Sequence, residues 1–278
     1  MTPLKTMRER QLHLQTVSSV SQPSPVTIKR STTPVMTRAQ SIQQQHRKTT
    51  MLWSYGITTV PSRRETLLPQ TLVSLAAAGF DRPRLFVDGC DDTQSWKREF
   101  GLEVTTRYPK VGVAVNWILT LCELVQREPN ADRFVVFQDD CVAYRNLRQY
   151  LEGVPYPDKS YINLITELEN ETRARDKSGL FEAVQLGRGA VALMFSREAV
   201  AVLLSERGFI ERSQDRKRGQ QAIDGGVLYA MQKQGWKEYC HAPSLVQHIG
   251  HKSSTLSHNI PQAKTFRGGE FDALELLK

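Results

Sequence analysis

The strongest constraint on the fold of this chain is an apolar run at residues 134–137, Phe-Val-Val-Phe, which Gln138 and two adjacent carboxylates follow. Four consecutive apolar residues bounded by charge are typical of a strand buried on both faces of a parallel sheet. Ligands of open α/β sheets bind beyond the carboxyl ends of such strands. Asp139 and Asp140 therefore lie where a ligand site is expected, and paired carboxylates suit Mg²⁺ or Mn²⁺. The alternative is a strand end followed by a solvated acidic turn.

Strands and helices alternate from Met51 onwards. This rhythm predicts an α/β fold with a mostly parallel sheet and helices on both faces. Strands are predicted at residues 52–59, 84–87, 134–138, 161–164 and 190–195. Helices are predicted at residues 64–78, 113–126, 197–207 and 220–234. The polar stretch at residues 172–179 is predicted to be a mobile loop.

The basic charge of the chain is concentrated in its first 50 residues. The net charge of all 278 residues is +8, but residues 1–50 hold eight Lys or Arg and one acid, a net charge of +7. Residues 51–278 are therefore left with +1. This near-neutral balance argues against a broad phosphate-binding face on the folded domain. Nucleic acid remains a candidate partner of residues 1–50.

Residues 1–50 are rich in Ser, Thr, Gln, Pro and Arg, and this composition predicts disorder. Three interpretations compete: a flexible basic tail, an organelle transit peptide, or an over-extended start upstream of Met51. We favour the tail or the over-extended start, because Met51 directly precedes the first predicted strand. The expected organisation is a disordered basic segment at 1–50 and a single folded domain at 51–278.

The composition favours a globular protein, with 40% hydrophobic and 24% charged residues. No apolar run approaches the roughly 20 residues that span a bilayer, and the first 50 residues contain no secretory apolar region. The four cysteines are widely spaced without a CxxC pair, which indicates neither a zinc site nor a disulfide scaffold. A reducing, cytoplasmic location is therefore expected.

A candidate phosphate-binding loop, TTVPSRRE, follows the first predicted strand at residues 58–65. A loop that leads into a helix N-terminus offers free backbone N–H groups and a positive dipole end. Arg63 and Arg64 add guanidinium donors that suit phosphate. Ser62 and Glu65 also fit a capping box, so a capped helix with solvated arginines is the alternative.

Two polar residues mark the next elements. Asp88 and Gly89 end the second predicted strand, where a carboxylate can accept hydrogen bonds from a ribose or a base edge. A plain turn is the alternative for this pair. Asn116 lies on the first turn of the helix predicted at 113–126 and is expected to face the ligand, whereas Trp117 is expected in the core.

Two residues in the C-terminal part complete the candidate set. Asp224 precedes two glycines at the start of an apolar helix, and is either an N-cap residue or a general base. His248 follows a short apolar run and precedes Gly250, a position that favours a metal or phosphate ligand. His251 and His258 are expected at the surface.

The order of these motifs resembles the GT-A class of nucleotide-sugar glycosyltransferases. The motifs are TTVPSR, DG, GVAVNW, FQDD, GRGAVALMFSR, DGG and PSLVQHIGHKSS. The last of them is similar to the C-terminal region of N-acetylglucosaminyltransferase IV-like enzymes and related bacterial and phage-type enzymes. The resemblance spans residues 52–256. It implies a GT-A (Rossmann-like) fold and transfer of a hexosyl or N-acetylhexosaminyl group from a nucleoside diphosphate sugar, with UDP as the expected carrier.

The resemblance also implies roles for the acidic residues. In this class a DxD-type motif binds a divalent metal, Mn²⁺ or Mg²⁺, that bridges the donor diphosphate. Carried over, Asp140 is the expected metal ligand, and Asp139 orients sugar or ribose hydroxyls. Gln138 departs from the usual first acid of the motif. His248 becomes the C-terminal metal ligand and Asp224 the catalytic base.

The donor site that the resemblance implies draws on several loops. Its nucleotide-holding residues are Thr58, Pro61, Arg63 and Asp88, with Asn116 and Asp139 beside them. The loop at residues 187–190, which contains Arg188, would face both donor and acceptor. One well-placed carboxylate suffices for direct displacement, so transfer with inversion is expected.

Other functions and several acceptors remain open at this point. The acceptor is a glycan, a protein side chain, a lipid or a hydroxylated nucleobase. A nucleotidyltransferase would share the sheet, the loop and the carboxylates, but needs a second metal carboxylate. A non-catalytic nucleotide-binding protein would use residues 1–50 to recruit nucleic acid or an acidic membrane.

Overall fold

A computed structural model describes residues 51–212, 223–250 and 262–278. The predictions made for residues 1–50 and 220–222, and for His251 and His258, lie outside these ranges. Within them, no helix combines the length and apolar character that crossing a membrane would require.

Eight strands form one sheet at the centre of the domain. In chain order they are β1 (Trp53–Thr59), β2 (Arg84–Asp88), β3 (Val104–Arg107), β4 (Arg133–Gln138), β6 (Ser160–Asn163), β7 (Gly179–Glu182), β8 (Ala192–Ser196) and β9 (Lys237–Ala242). Two short strands, β5 (Cys141–Ala143) and β10 (Val246–His248), form a separate antiparallel pair. The sheet order is β3-β2-β1-β4-β8-β6-β9-β7.

The first half of the sheet is parallel, since β1 pairs in parallel with both β2 and β4, and β2 pairs in parallel with β3. The strand β8 then runs antiparallel to both β4 and β6. Consequently β6 points the same way as β4, and β9 is parallel to β6. The predicted α/β class with a mostly parallel sheet is confirmed.

Helices cover both faces of this sheet. They are α1 (Leu67–Ala77), α2 (Thr93–Phe100), α3 (Val113–Arg127), α4 (Leu147–Gly153), α5 (Leu168–Arg173), α6 (Arg197–Ser205), α7 (Arg207–Arg212) and α8 (Ile223–Lys233). Alternate residues of β4 enter two cores: Val135 packs in the core that holds Leu68 of α1, and Val136 in the core that holds Trp117 of α3. A strand buried on both faces explains its continuous apolar sequence.

Three predicted boundaries need correction. The helix predicted from residue 64 begins at Leu67, and the turn before it is a 3₁₀ helix, Pro61–Arg63. Its N-cap is Thr66, which makes no side-chain capping bond, so the capping-box interpretation is wrong. Thr172 lies in α5 and not in a loop. The strand predicted from residue 190 begins at Ala192.

Candidate functional site

A small cavity of about 60 Å³ lies at the carboxyl ends of β1, β2 and β4. The carboxyl ends of parallel strands meet at one sheet edge, which is where ligands of such sheets bind. Six of the predicted site residues line this cavity: Thr58, Arg63, Asp88, Asn116, Asp139 and Asp140. Pro61 does not line it, but starts the 3₁₀ turn that carries Arg63.

Arg63 holds the two carboxylates of the cavity together. Its guanidinium donates to Asp139 Oδ1 over 3.1 Å and also forms an ion pair with Asp140 Oδ2. Burial raises the pKa of Asp139 to about 6, the charge of Asp140 adds to this rise, and Arg63 opposes it. Burial disfavours the charge of Arg63, yet the two carboxylates raise its pKa. The arrangement is a buried anion pair balanced by one cation.

Thr59 is a site residue that sequence reasoning did not assign. Its hydroxyl donates to Asp139 Oδ2 over 2.6 Å. Asp139 thus has one oxygen held by Thr59 and the other by Arg63, whereas Asp140 Oδ1 is buried without a hydrogen-bond partner. The two carboxylates therefore differ, and Asp140 has the free coordination capacity. The feature that could have identified Thr59 from the sequence is its position at the end of β1, which pairs with β4.

Strand pairing brings His248 to the cavity. The strand β10 pairs with β5 so that His248 lies opposite Cys141, the residue after Asp140. His248 Nε2 lies 3.4 Å from Asp140 Oδ2, and the Gly250 N–H donates to His248 Nδ1 over 3.1 Å. Burial lowers the pKa of His248, which favours the neutral ring that binds metals.

These residues fit a divalent ion that has few protein ligands. In the described ranges, no group of three or more His, Cys, Asp or Glu side chains could hold a metal ion. The unpartnered Asp140 Oδ1 and the nearby His248 offer two ligands, and Mg²⁺ is usually held by one or two carboxylates together with substrate phosphates and water. Because Gly250 donates to Nδ1, the proton of the neutral ring is on Nε2. A metal ion can bind Nε2 only if this proton moves to Nδ1, which breaks the hydrogen bond from Gly250.

A carboxylate at the end of β2 holds the N-terminus of a helix at the cavity. Asp88 Oδ1 accepts the Val111 N–H over 2.8 Å, and Oδ2 accepts the Gly112 N–H over 2.9 Å. Gly112 is the N-cap of α3, so Asp88 fixes the entry of this helix. Asn116 on its first turn donates to the Phe86 carbonyl, and its Oδ1 is buried without a partner. A helix N-terminus at this place favours a bound anion.

Asp224 and Arg188 lie outside this cavity, at the same sheet edge. The Gly189 N–H donates to Asp224 Oδ2 over 3.1 Å, and the Gly225 N–H donates to Oδ1 over 2.9 Å. The loop that contains Gly189 leads to Val191, whose carbonyl accepts the Gln138 N–H over 2.8 Å. This backbone path joins Asp224 to the end of β4. Asp224 is the second residue of α8 and not its N-cap.

Two further acids that sequence reasoning missed surround the same loop. Burial raises the pKa of Glu167 and of Glu238 to about 7, and the charge of Asp224 adds to both shifts. Burial also raises the pKa of Asp224. Arg188 forms an ion pair with Glu169 at the surface. Glu167 and Glu238 carried no sequence signal, because their burial arises from contacts between distant segments.

The fold of this chain is similar to that of a solved structure. GalNAc-T7, solved with UDP, GalNAc and Mn²⁺, matches 73% of this chain with a TM-score of 0.53 and 10% sequence identity. The chain has a GT-A-like fold. The match spans 44% of the length of the GalNAc-T7 chain. No protein-family model and no curated protein matches the sequence.

A second solved structure is more distant. The mannose-1-phosphate geranyltransferase from Thermus thermophilus matches 69% of this chain and 74% of its own, with a TM-score of 0.38 and 13% identity. At this level of similarity it carries no weight for the fold or for the function.

Proposed function

We propose that this chain transfers a sugar from a nucleoside diphosphate sugar, UDP-linked, to an acceptor hydroxyl with inversion. The observation that carries the proposal is the pair of buried carboxylates with Arg63 at the carboxyl edge of the parallel strands. Nucleotide ligands of such sheets bind at this edge. The GT-A-like fold supports the same assignment.

The donor diphosphate is bound by Arg63 and the N-terminus of α3. Both supply positive charge or free N–H groups at the cavity, where negative charge grows on the leaving diphosphate. The present cavity of about 60 Å³ is far smaller than the 300–1,000 Å³ of typical ligand sites. The cavity must therefore open for donor to bind, and the proposal assigns this opening to Arg63, which leaves the carboxylates and turns to the diphosphate.

The nucleoside part is held by the remaining polar residues of the cavity. Thr58, with Pro61 in the adjoining turn, lines one side, and Asp88 with Asn116 lines the other. Asp139 orients sugar or ribose hydroxyls. Asp140 and His248 would hold Mn²⁺ or Mg²⁺, and the ion would neutralise charge on the diphosphate.

The acceptor is activated by Asp224, beside the loop that contains Arg188. Its two oxygens each accept one backbone N–H, and each retains a lone pair for an acceptor hydroxyl. Its raised pKa makes it a stronger base than an exposed Asp. Removal of the hydroxyl proton accompanies attack on the anomeric carbon, the bond to the diphosphate breaks, and the configuration inverts.

The proposal is tested by ligand-induced thermal stabilisation of the full chain. Nucleoside diphosphates and nucleotide sugars are compared with and without Mn²⁺. A donor at 100 times its Kd adds about 2.7 kcal/mol to the free energy of unfolding. We expect this gain with one diphosphate only when metal is present, and its loss in Asp140→Asn. Asp158→Asn, at an exposed position, is the matched control.

The catalytic role of Asp224 needs a separate measurement. With a donor identified, Asp224→Asn should retain donor binding, while the transfer rate falls by roughly 10²–10⁴-fold. Near-normal turnover would rule out Asp224 as the base. Release of pyrophosphate from a nucleoside triphosphate would instead indicate a nucleotidyltransferase. Nucleotide binding without turnover, lost on removal of residues 1–50, would indicate a non-catalytic protein.

A further inference from the structure

A groove of about 810 Å³ lies at the opposite edge of the sheet from the donor cavity. The strand β2 connects the two places: its first residue, Arg84, lines the groove, and its last, Asp88, lines the cavity. The two residues are four steps apart along the strand, which at about 3.3 Å per step is about 13 Å. The helix α3 likewise runs from Asn116 at the cavity to Arg127 at the groove. The groove is thus separate from the cavity, although β2 and α3 contribute residues to both.

Basic side chains outnumber acidic ones around this groove. Its charged lining residues are Arg82, Arg84, Lys97, Arg127, Glu103 and Glu128. We call this place the basic groove. Its net lining charge is positive although residues 51–278 as a whole carry only +1.

The acids nearby are shared between cations. Glu103 is the ion-pair partner of both Arg84, at 3.7 Å, and Lys97, at 3.5 Å. Arg127 lies 3.9 Å from Glu123, which Arg107 holds more closely at 2.8 Å. Glu103 and Glu123 therefore each serve two cations, and the ion pairs of Arg84, Lys97 and Arg127 are long.

Two guanidinium groups of the basic groove also repel each other. Burial lowers the pKa of Arg84, and the charge of Arg127 lowers it further. Arg82, a third guanidinium, makes no ion pair within the described parts of the chain. An anion between these side chains would relieve the repulsion and supply the partner that the protein does not provide.

We propose that the basic groove binds a small molecule that carries at least two negative charges, independently of the donor cavity. Its volume lies within the 300–1,000 Å³ range of small-molecule sites. Phosphate and carboxylate groups both match the guanidinium donors. The near-neutral charge of residues 51–278 favours such a ligand over an extended nucleic acid.

The experiment is calorimetric titration of the full chain, in metal-free buffer, with inorganic pyrophosphate and separately with citrate. The double variant Arg84→Gln with Arg127→Gln should bind at least one of these anions ten times more weakly than the unchanged protein. Arg127→Gln alone tests the same point without disturbing the fold, since its side chain is 52% exposed. The unliganded melting temperature of each variant checks that it folds.

Two control variants separate the basic groove from other anion sites. Arg63→Gln removes the guanidinium of the donor cavity, and should leave binding at the groove intact. Lys29→Gln with Arg30→Gln removes two charges from residues 1–50, and should also leave it intact. Three results would each overturn the proposal. They are loss of anion binding only in Arg63→Gln, a loss in the Lys29 and Arg30 variant as large as that in the groove variants, and no anion binding by the unchanged protein. The proposed sugar transfer is unaffected by any of these results.

Discussion

Gly250 is a residue whose missing side chain matters for the site. A Cβ at this position would lie 3.0 Å from His248 Cε1 and 3.5 Å from Asp140 Oδ2. The 3.5 Å contact is ordinary, but the 3.0 Å contact requires the His248 ring to shift slightly. Glycine therefore leaves space at this position for the His248 ring, one of the proposed metal ligands.

Gly250→Ala should weaken metal-dependent donor binding. The added methyl group displaces the His248 ring relative to Asp140, and disturbed support of a metal ligand typically lowers affinity roughly 10–100-fold. The affinity for donor and Mn²⁺ would be measured by calorimetry. Gly153→Ala is the matched control, because its Cβ would meet only Leu277 at an ordinary 3.7 Å. Equal affinities of the two variants would contradict the role given to Gly250.

Individual residues of the proposed donor cavity were predictable because strand ends determine where they lie. Arg63, Asp88 and Asp139 follow three apolar strands that proved to be neighbours, so their proximity came from the sheet alone. Glu167 and Glu238 were not predictable. Their burial depends on the loop at residues 187–189, which packs against segments far away in the sequence.

Among the elements, α3 is packed on the sheet by its buried face, and a single carboxylate holds its N-terminus. Asp88 is 1% exposed and accepts the backbone N–H groups of two residues that precede the helix. Both bonds are charge-assisted, and they fix the helix N-terminus at the cavity. The proposed donor binding and the stability of the fold therefore both involve Asp88.

Asp88→Asn should lower the free energy of unfolding by about 1–3 kcal/mol, because the new amide group faces a backbone N–H that loses its acceptor. Denaturant unfolding measures this change. Asp92→Asn is the control: Asp92 caps α2 by accepting the Ser95 N–H, and Asn is an equally good cap. A similar loss in both variants would contradict the special position of Asp88.

Elements with a long periodic or apolar pattern were predictable, whereas several short elements of mixed polarity were not. The helix predicted at 113–126 is observed as Val113–Arg127, and the strand predicted at 134–138 as Arg133–Gln138. The strands β3, β7 and β9 escaped prediction because four to six residues with mixed polarity carry no distinctive period. Pairing with neighbouring strands determines them.

At the scale of the whole molecule, buried acids connect stability to pH. Glu238 is 1% exposed, its Oε1 accepts the Asn163 amide over 3.0 Å, and its Oε2 has no hydrogen-bond partner. Burial raises its pKa from 4.5 to about 7. Between these values the folded state binds more protons than the unfolded state, so stability falls as the pH rises.

Glu238→Gln should flatten this pH dependence. The amide can accept the same hydrogen bond and has no proton to lose, so it stays neutral while Glu238 becomes charged. The variant is therefore expected to gain stability relative to the unchanged protein, on the order of 1–3 kcal/mol, as the pH rises from 5 to 8. Thermal unfolding across this range measures the difference. Glu270→Gln, at an exposed position, is the control and should follow the unchanged protein. Parallel curves for all three proteins would contradict the raised pKa of Glu238.

Arg63 has a consequence for the order in which ligands associate. Its guanidinium is a tethered counterion of Asp139 and Asp140, so an incoming metal ion must compete with a cation that is always present. In the proposed function, a diphosphate offers the guanidinium another anion and so frees the carboxylates for the metal ion. We therefore expect donor and metal to bind cooperatively, each raising the affinity of the protein for the other by the same factor.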